Sequence, residues 1–169
     1  MNFASNVNYT WRPLDAAIEG RIKNVLDSWL DTPYMDGQRQ RKVGVDCAQL
    51  VGGVLDDLFR SKDKVVIPRL RTDSGIHSIR AGFATVRAIR KHYKSKVVRD
   101  GTLEPGDVIV TRATGNTNGP KRLGHAMLVS TRKGVLIHAT TITGVCLTSL
   151  KSNEEIVRVY RPLNKELWR

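Results

Sequence analysis

Gly44-Val45-Asp46-Cys47-Ala48-Gln49-Leu50-Val51-Gly52-Gly53-Val54-Leu55-Asp56-Asp57-Leu58 is the stretch on which the reading of this chain turns. Cys47, Leu50, Val51, Val54, Leu55 and Leu58 recur at helical spacing and form one apolar stripe. Asp46 has the chemistry of an N-cap, and Gly44 supports a turn before it. Cys47 is therefore expected in the first turn of a helix. Unpaired backbone N–H groups and the helix dipole favour negative charge there, and a thiol so placed is expected to have a lowered pKa. Two readings of Cys47 stay open on position alone. It is an activated nucleophile, or it is a small apolar residue opening a core stripe.

Upstream, residues 14–31 read as another helix, with Leu14, Ala17, Ile18, Ile22, Val25, Leu26, Trp29 and Leu30 on its apolar face and Pro33 ending it. Residues 1–13 are expected to be extended, with Tyr9, Trp11 and Pro13 docked on the body. Residues 32–43 form a basic loop leading into the central helix. Downstream, residues 61–75 are charged and irregular, and 76–93 carry a third helical pattern through Ile76, Ile79, Phe83, Val86, Ile89 and Tyr93.

From Leu103 the character changes. Leu103-Glu104-Pro105-Gly106-Asp107 is a turn, and Val108-Ile109-Val110 a strand. Strands are expected over 125–130, 135–140 and 156–160, with a weaker one over 145–148. Arg132-Lys133-Gly134 supplies hairpin chemistry between the first two. Helices first and then an antiparallel sheet is an α+β order. At 169 residues the chain is expected to be one domain, 1–169.

The second half also supplies a base. His125 opens one strand and His138 lies in the next. If the strands form a tight hairpin, the two rings can meet side by side, since facing residues on paired strands lie about 5 Å apart. Cys47 would attack, His125 would take its proton and pass it to the leaving group, and His138 would orient the ring of His125. Structural histidines, or a metal pair, are the other readings. The metal reading lacks a carboxylate or cysteine at companion spacing. His77 and His92 are expected at the surface.

The formal charge is +12, from 28 Lys and Arg against 16 Asp and Glu. That favours a polyanion: nucleic acid, an anionic wall polymer or an acidic assembly partner. Nucleic acid is the weakest of these, because only 6% of residues are aromatic and no basic run is interleaved with them. The two cysteines lie far apart without zinc spacing, which suits a reduced compartment. No signal peptide or membrane-spanning run is read from the sequence.

Four pieces, in order, resemble the NlpC family of papain-like cell-wall cysteine peptidases. They are Pro33-Tyr34-Met35-Asp36-Gly37, Val45-Asp46-Cys47-Ala48-Gln49-Leu50-Val51, Leu103-Glu104-Pro105-Gly106-Asp107, and Gly124-His125 with Ile137-His138-Ala139. Thr32-Pro33-Tyr34, Gly44-Val45-Asp46-Cys47 and Val159-Tyr160-Arg161-Pro162 resemble its phage and prophage tail-associated branch. The resemblance implies an NlpC-type fold, with a nucleophile at a helix N-terminus packed on a C-terminal antiparallel sheet. It implies Cys47 as nucleophile, His125 as general base and His138 as orienting residue. Tyr34 would line the cleft and help hold the oxyanion, and Asp46 would contact the substrate amine or cap the helix. The implied substrate is the peptide stem of peptidoglycan, with no metal or cofactor.

Ala48-Gln49 replaces the family's small Ser-Gly pair, so Gln49 is expected to crowd or line the cleft. Met35-Asp36 also departs from the pattern, and 61–102 is long enough to be a lid or insertion. The leading expectation is a phage tail-associated wall hydrolase, made in the cytoplasm, carried in the virion tail and partnered by other tail proteins. An interbacterial amidase toxin and a non-catalytic tail adaptor on the same fold are the alternatives.

Overall fold

The computed structural model describes residues 9–60, 66, 79–112, 123–150 and 156–163. The chain opens with β1 (Thr10–Trp11), then α1 (Ala16–Trp29), and the short strands β2 (Arg39–Gln40) and β3 (Gly44–Val45). Helices α2 (Cys47–Phe59) and α3 (Ile79–His92) follow. The rest is strand: β4 (Lys96–Val97), β5 (Thr102–Leu103), β6 (Val108–Arg112), β7 (Leu123–Val129), β8 (Val135–Thr140), β9 (Gly144–Ser149) and β10 (Ile156–Arg161).

The helices form where caps and stripes coincide. Asp15 caps α1 by accepting from the Ala17 N–H at 3.0 Å. Asp46 caps α2 by accepting from the Gln49 N–H at 2.7 Å, as the sequence predicts. Ile18, Ile22, Val25, Leu26 and Trp29 of α1 face Leu50, Val51, Val54, Leu55 and Leu58 of α2 in one buried cluster. Arg60 ends α2 in the left-handed region at φ 49°. The predicted helix over 76–93 is present from Ile79. Its start, with Ile76 and His77, lies outside the described residues. His92 is exposed, as expected.

Six strands form one antiparallel sheet in the order β4-β10-β6-β7-β8-β9. Ala126, Leu128, Ile137, Ala139, Val145 and Tyr160 pack toward the helices. The alternate residues Ile109, Met127, Val129, Leu136 and Val159 build a smaller cluster, capped by Tyr9 and Trp11. This is the α+β architecture that the order of periodicities predicts, with all five expected strands present as β6 to β10. Five two-residue strands go unseen in the sequence, because alternation has no length to show itself over two residues. Among them, β1 docks by parallel pairing with β5, which places Trp11 as expected, whereas Pro13 remains exposed. Within 61–102, α3 contributes Val86, Ile89 and Tyr93 to the main cluster, and β4 is an edge of the sheet. Residues 61–65 and 67–78 lie outside the described residues.

Two of the motifs turn out to be one object. Arg161, from Val159-Tyr160-Arg161-Pro162, donates to Asp107 of the Pro-Gly-Asp turn at 2.8 Å and 3.0 Å. It also donates to the Thr102 carbonyl at 3.1 Å and pairs with Glu104 at 3.1 Å. Glu104 in turn holds Arg12 beside β1. Asp107 is fully buried, and its charge is matched on the spot. These motif residues fasten β10 and the N-terminal strand to the turn that opens the sheet.

Candidate active site

The site is built at the N-terminus of α2. The Tyr34 loop runs alongside β3: the Met35 N–H donates to the Val45 carbonyl at 3.1 Å, and the Val45 N–H to the Pro33 carbonyl at 3.0 Å. The approach is close enough that a Cβ on Gly44 would stand 2.6 Å from the Met35 Cβ. That is why glycine suits this position. Asp46 then ties loop to helix. One carboxylate oxygen takes the Gln49 N–H and the other the Gly37 N–H, each at 2.7 Å. Burial raises its pKa, and those N–H groups oppose the rise. Of the two roles expected for Asp46, the cap is what the geometry displays. Gln49 is buried.

Cys47 is half-buried. Its sulfur accepts from the backbone N–H of Ala126, the neighbour of His125 on β7. The thiol and the start of β7 are thereby brought together. The expected low pKa is corrected: burial pushes the thiol up to about 11, and the Asp46 carboxylate adds to the rise. The N–H groups of Ala126, Ala48 and Cys47 itself act the other way and are outweighed. A helix N-terminus stabilises a thiolate, but desolvation beside a carboxylate costs more here.

Tyr34 is half-buried, and its pKa is raised by burial and then by the nearby Cys47, Asp46 and Asp36. The phenol therefore stays protonated and remains a donor. Its electrostatic neighbours place it at the Cys47 end of α2.

The histidines meet. His125 Nε2 lies 2.7 Å from His138 Nδ1, with the rings edge to face at a centroid distance of 5.0 Å. They are not directly opposite each other, as side-by-side packing supposes. The paired positions are Leu128 with Ile137 and Val129 with Leu136. Both histidines lie outside them, and continuing that register sets the two diagonally, a separation that imidazole side chains can span. Burial lowers the pKa of His138, which keeps it neutral and able to accept a hydrogen bond.

Cys146, in the strand expected over 145–148, is not a core thiol. It is half-buried on β9 directly across from His138, and its sulfur accepts from the Thr143 hydroxyl at 3.2 Å. The register of β8 and β9 decides this, and sequence spacing does not report it. The Ala126 N–H is the other group sequence reasoning misses, since a backbone donor has no side-chain signature. Among the described residues, no cluster of three His, Cys, Asp or Glu could hold a metal, and no helix is long and apolar enough to cross a membrane.

No protein-family model matches the chain, and no curated protein sequence matches it. Solved structures do. NlpC1 from Trichomonas vaginalis superposes with a TM-score of 0.59 at 18% identity, over 91% of this chain and 49% of that one. A Staphylococcus aureus protein described as similar to lipoprotein, of the NLP/P60 family, gives 0.58 at 16% identity, over 95% of this chain and 45% of that one. The chain thus spans about half the length of each, and the likeness establishes a papain-like NlpC/P60 fold.

Proposed function

We propose that this chain is a cysteine peptidase or amidase that hydrolyses the peptide stems of bacterial peptidoglycan. The observation that carries the reading is the 2.7 Å contact between His125 Nε2 and His138 Nδ1, at the end of β7 whose Ala126 N–H meets the Cys47 sulfur. The fold and the four ordered motifs support the substrate class.

The chemistry follows from the tautomers. We assign His138 the neutral tautomer that accepts at Nδ1, which puts a proton on Nε2 of His125. The other ring nitrogen of His125, Nδ1, then takes the thiol proton. With the thiol raised to about 11 and the His138 pKa lowered, Cys47 and His138 both rest uncharged. Sulfur attacks the substrate carbonyl as its proton passes to His125, and no standing thiolate is needed. His138 stabilises the resulting imidazolium through the same hydrogen bond. The Cys47 N–H at the helix start and the Tyr34 hydroxyl are the donors for the tetrahedral oxyanion. His125 protonates the leaving amine. Water, deprotonated by His125, then releases the acyl group from sulfur and regenerates the thiol.

Thr32-Pro33-Tyr34 and the ending Val159-Tyr160-Arg161-Pro162 support a tail-associated hydrolase acting on the wall from a virion. A non-catalytic adaptor is the second reading, favoured by the raised Cys47 thiol, since an inert core cysteine has the same property. Digestion of purified peptidoglycan, with fragments identified by mass spectrometry, separates them. New stem-peptide termini released by the wild type and absent with Cys47→Ala are expected. Intact stems after prolonged digestion by folded protein would establish the adaptor.

A further inference from the structure

A second polar site lies away from the histidines, in a groove of about 590 Å³ between the C-terminal half of α3 and β10. Arg87, Arg90, Lys91 and Lys94 line it from the α3 side and Arg158 from β10. All five are exposed. Arg87, Arg90 and Lys91 stand at i, i+3 and i+4 on one side of α3, and Lys94 follows just past its end, in the left-handed region at φ 46°. Arg158 hydrogen-bonds the Tyr160 hydroxyl, and the charges of Arg90 and Arg158 both act on that phenol, so the two walls converge. No carboxylate among the described residues pairs with any of the five. Elsewhere the molecule does match its buried cations, as at Arg161.

The groove holds a further unmatched group. Ser95, which lines it, is 8% exposed, and its Oγ is buried without a hydrogen-bond partner. A buried hydroxyl left unpaired costs about 1–3 kcal/mol, which a ligand acceptor would recover. Cations near a helix C-terminus also offset the helix dipole. That effect falls off within the last turn, whereas Arg87 lies before that turn and Arg158 comes from another element. The dipole therefore does not account for the cluster.

We infer that this groove binds the phosphate groups of an anionic wall polymer of the poly(glycerol phosphate) type, and so holds the domain on the wall whose stems it cuts. The choice of polymer rests on the hydrolase reading; the phosphate chemistry rests on the groove. Spaced cations with a hydroxyl suit a repeating phosphodiester. A single-stranded nucleic acid would need an open ring to stack on, and the aromatic residue of the groove, Tyr160, is 5% exposed.

The test is equilibrium binding of the full chain to purified poly(glycerol phosphate) at physiological salt, beside oligo-dT and polyglutamate of equal charge. The combined variant Arg87→Gln, Arg90→Gln, Lys91→Gln is expected to weaken polymer binding by ~10-fold or more, with a shallower salt dependence. Ser95→Ala, which leaves every charge in place, is expected to weaken it about threefold. Both variants should cleave a soluble stem peptide at the wild-type rate and intact walls more slowly. Equal affinity for oligo-dT or polyglutamate, or affinity unchanged in both variants, overturns the inference. Polymer binding through the groove with no cleavage of soluble peptide by the wild type sinks the hydrolase reading and leaves the phosphate site standing.

Discussion

The ion network around Arg161 and the imidazole pair of His125 and His138 are both assembled by the sheet, yet they are opposites in valence. Arg161 meets Asp107, Glu104 and the Thr102 carbonyl, and the carboxylates are matched in turn by Arg161, by Arg12 and by the Glu104 N–H. Those charges have ended their chemistry by pairing with one another. His138 has a depressed pKa with burial as its sole cause, and the sulfur beside β7 is held in its protonated form. Saturated polar groups fix geometry. Groups kept neutral retain the capacity to move a proton. Motif membership does not distinguish the two, because both clusters lie within motifs of the same family resemblance.

The comparison breaks most sharply on activity. His125→Ala is expected to lower kcat/KM on a stem peptide by more than ~10³-fold, with the melting temperature nearly unchanged. Unfolding of that variant with wild-type-like residual rates would make His125 structural, like Arg161.

Stability gives the mirror image. Asp107→Ala takes the Asp107 hydrogen bonds from the buried Arg161 guanidinium, which keeps Glu104 and the Thr102 carbonyl, and is expected to cost about 2–3 kcal/mol in denaturant unfolding. The folded fraction should keep its Cys47 alkylation rate. A cost under ~1 kcal/mol would mean the network is as expendable as a surface pair.

His138 sharpens the contrast through pH. Its folded pKa is depressed below the ordinary value of 6.5. The neutral, hydrogen-bond-accepting form is therefore present above that value, and activity should fall only as pH drops through the lower folded pKa. His138→Ala should cost about 10²-fold in kcat/KM. His138→Gln, whose amide oxygen also accepts, should recover part of it and alter the acidic limb of the profile. An acidic limb left unchanged in His138→Gln would assign it to another group.

The thiols differ by less. Alkylation of Cys47 by iodoacetamide should keep rising with pH toward about 11, and a plateau below pH 8.5 would show a standing thiolate instead. Cys146→Ser should change kcat/KM less than about twofold, since its sulfur faces His138 from β9 without lying in the proton path.

Much of this was determined by the sequence alone. The stripe through Leu50, Val51, Val54, Leu55 and Leu58 and the Asp46 cap set α2, and with it the place of Cys47 at a helix start. Alternation set β7, β8, β9 and β10, and with them a histidine on each of two neighbouring strands. These features follow from periods of 3.6 and 2 in the backbone, which any local window of sequence carries.

Only the tertiary structure decided the rest. The rise of the Cys47 pKa comes first from what buries the sulfur, whereas local sequence shows the adjacent Asp46 and the opposing helix N-terminus. The diagonal offset of the histidines comes from a strand register, and the exposure of Cys146 from an edge strand. Arg161 reaches Asp107 across 54 residues of chain. Burial, pairing and desolvation depend on which distant segments arrive at one point, and nothing in a local window encodes that meeting.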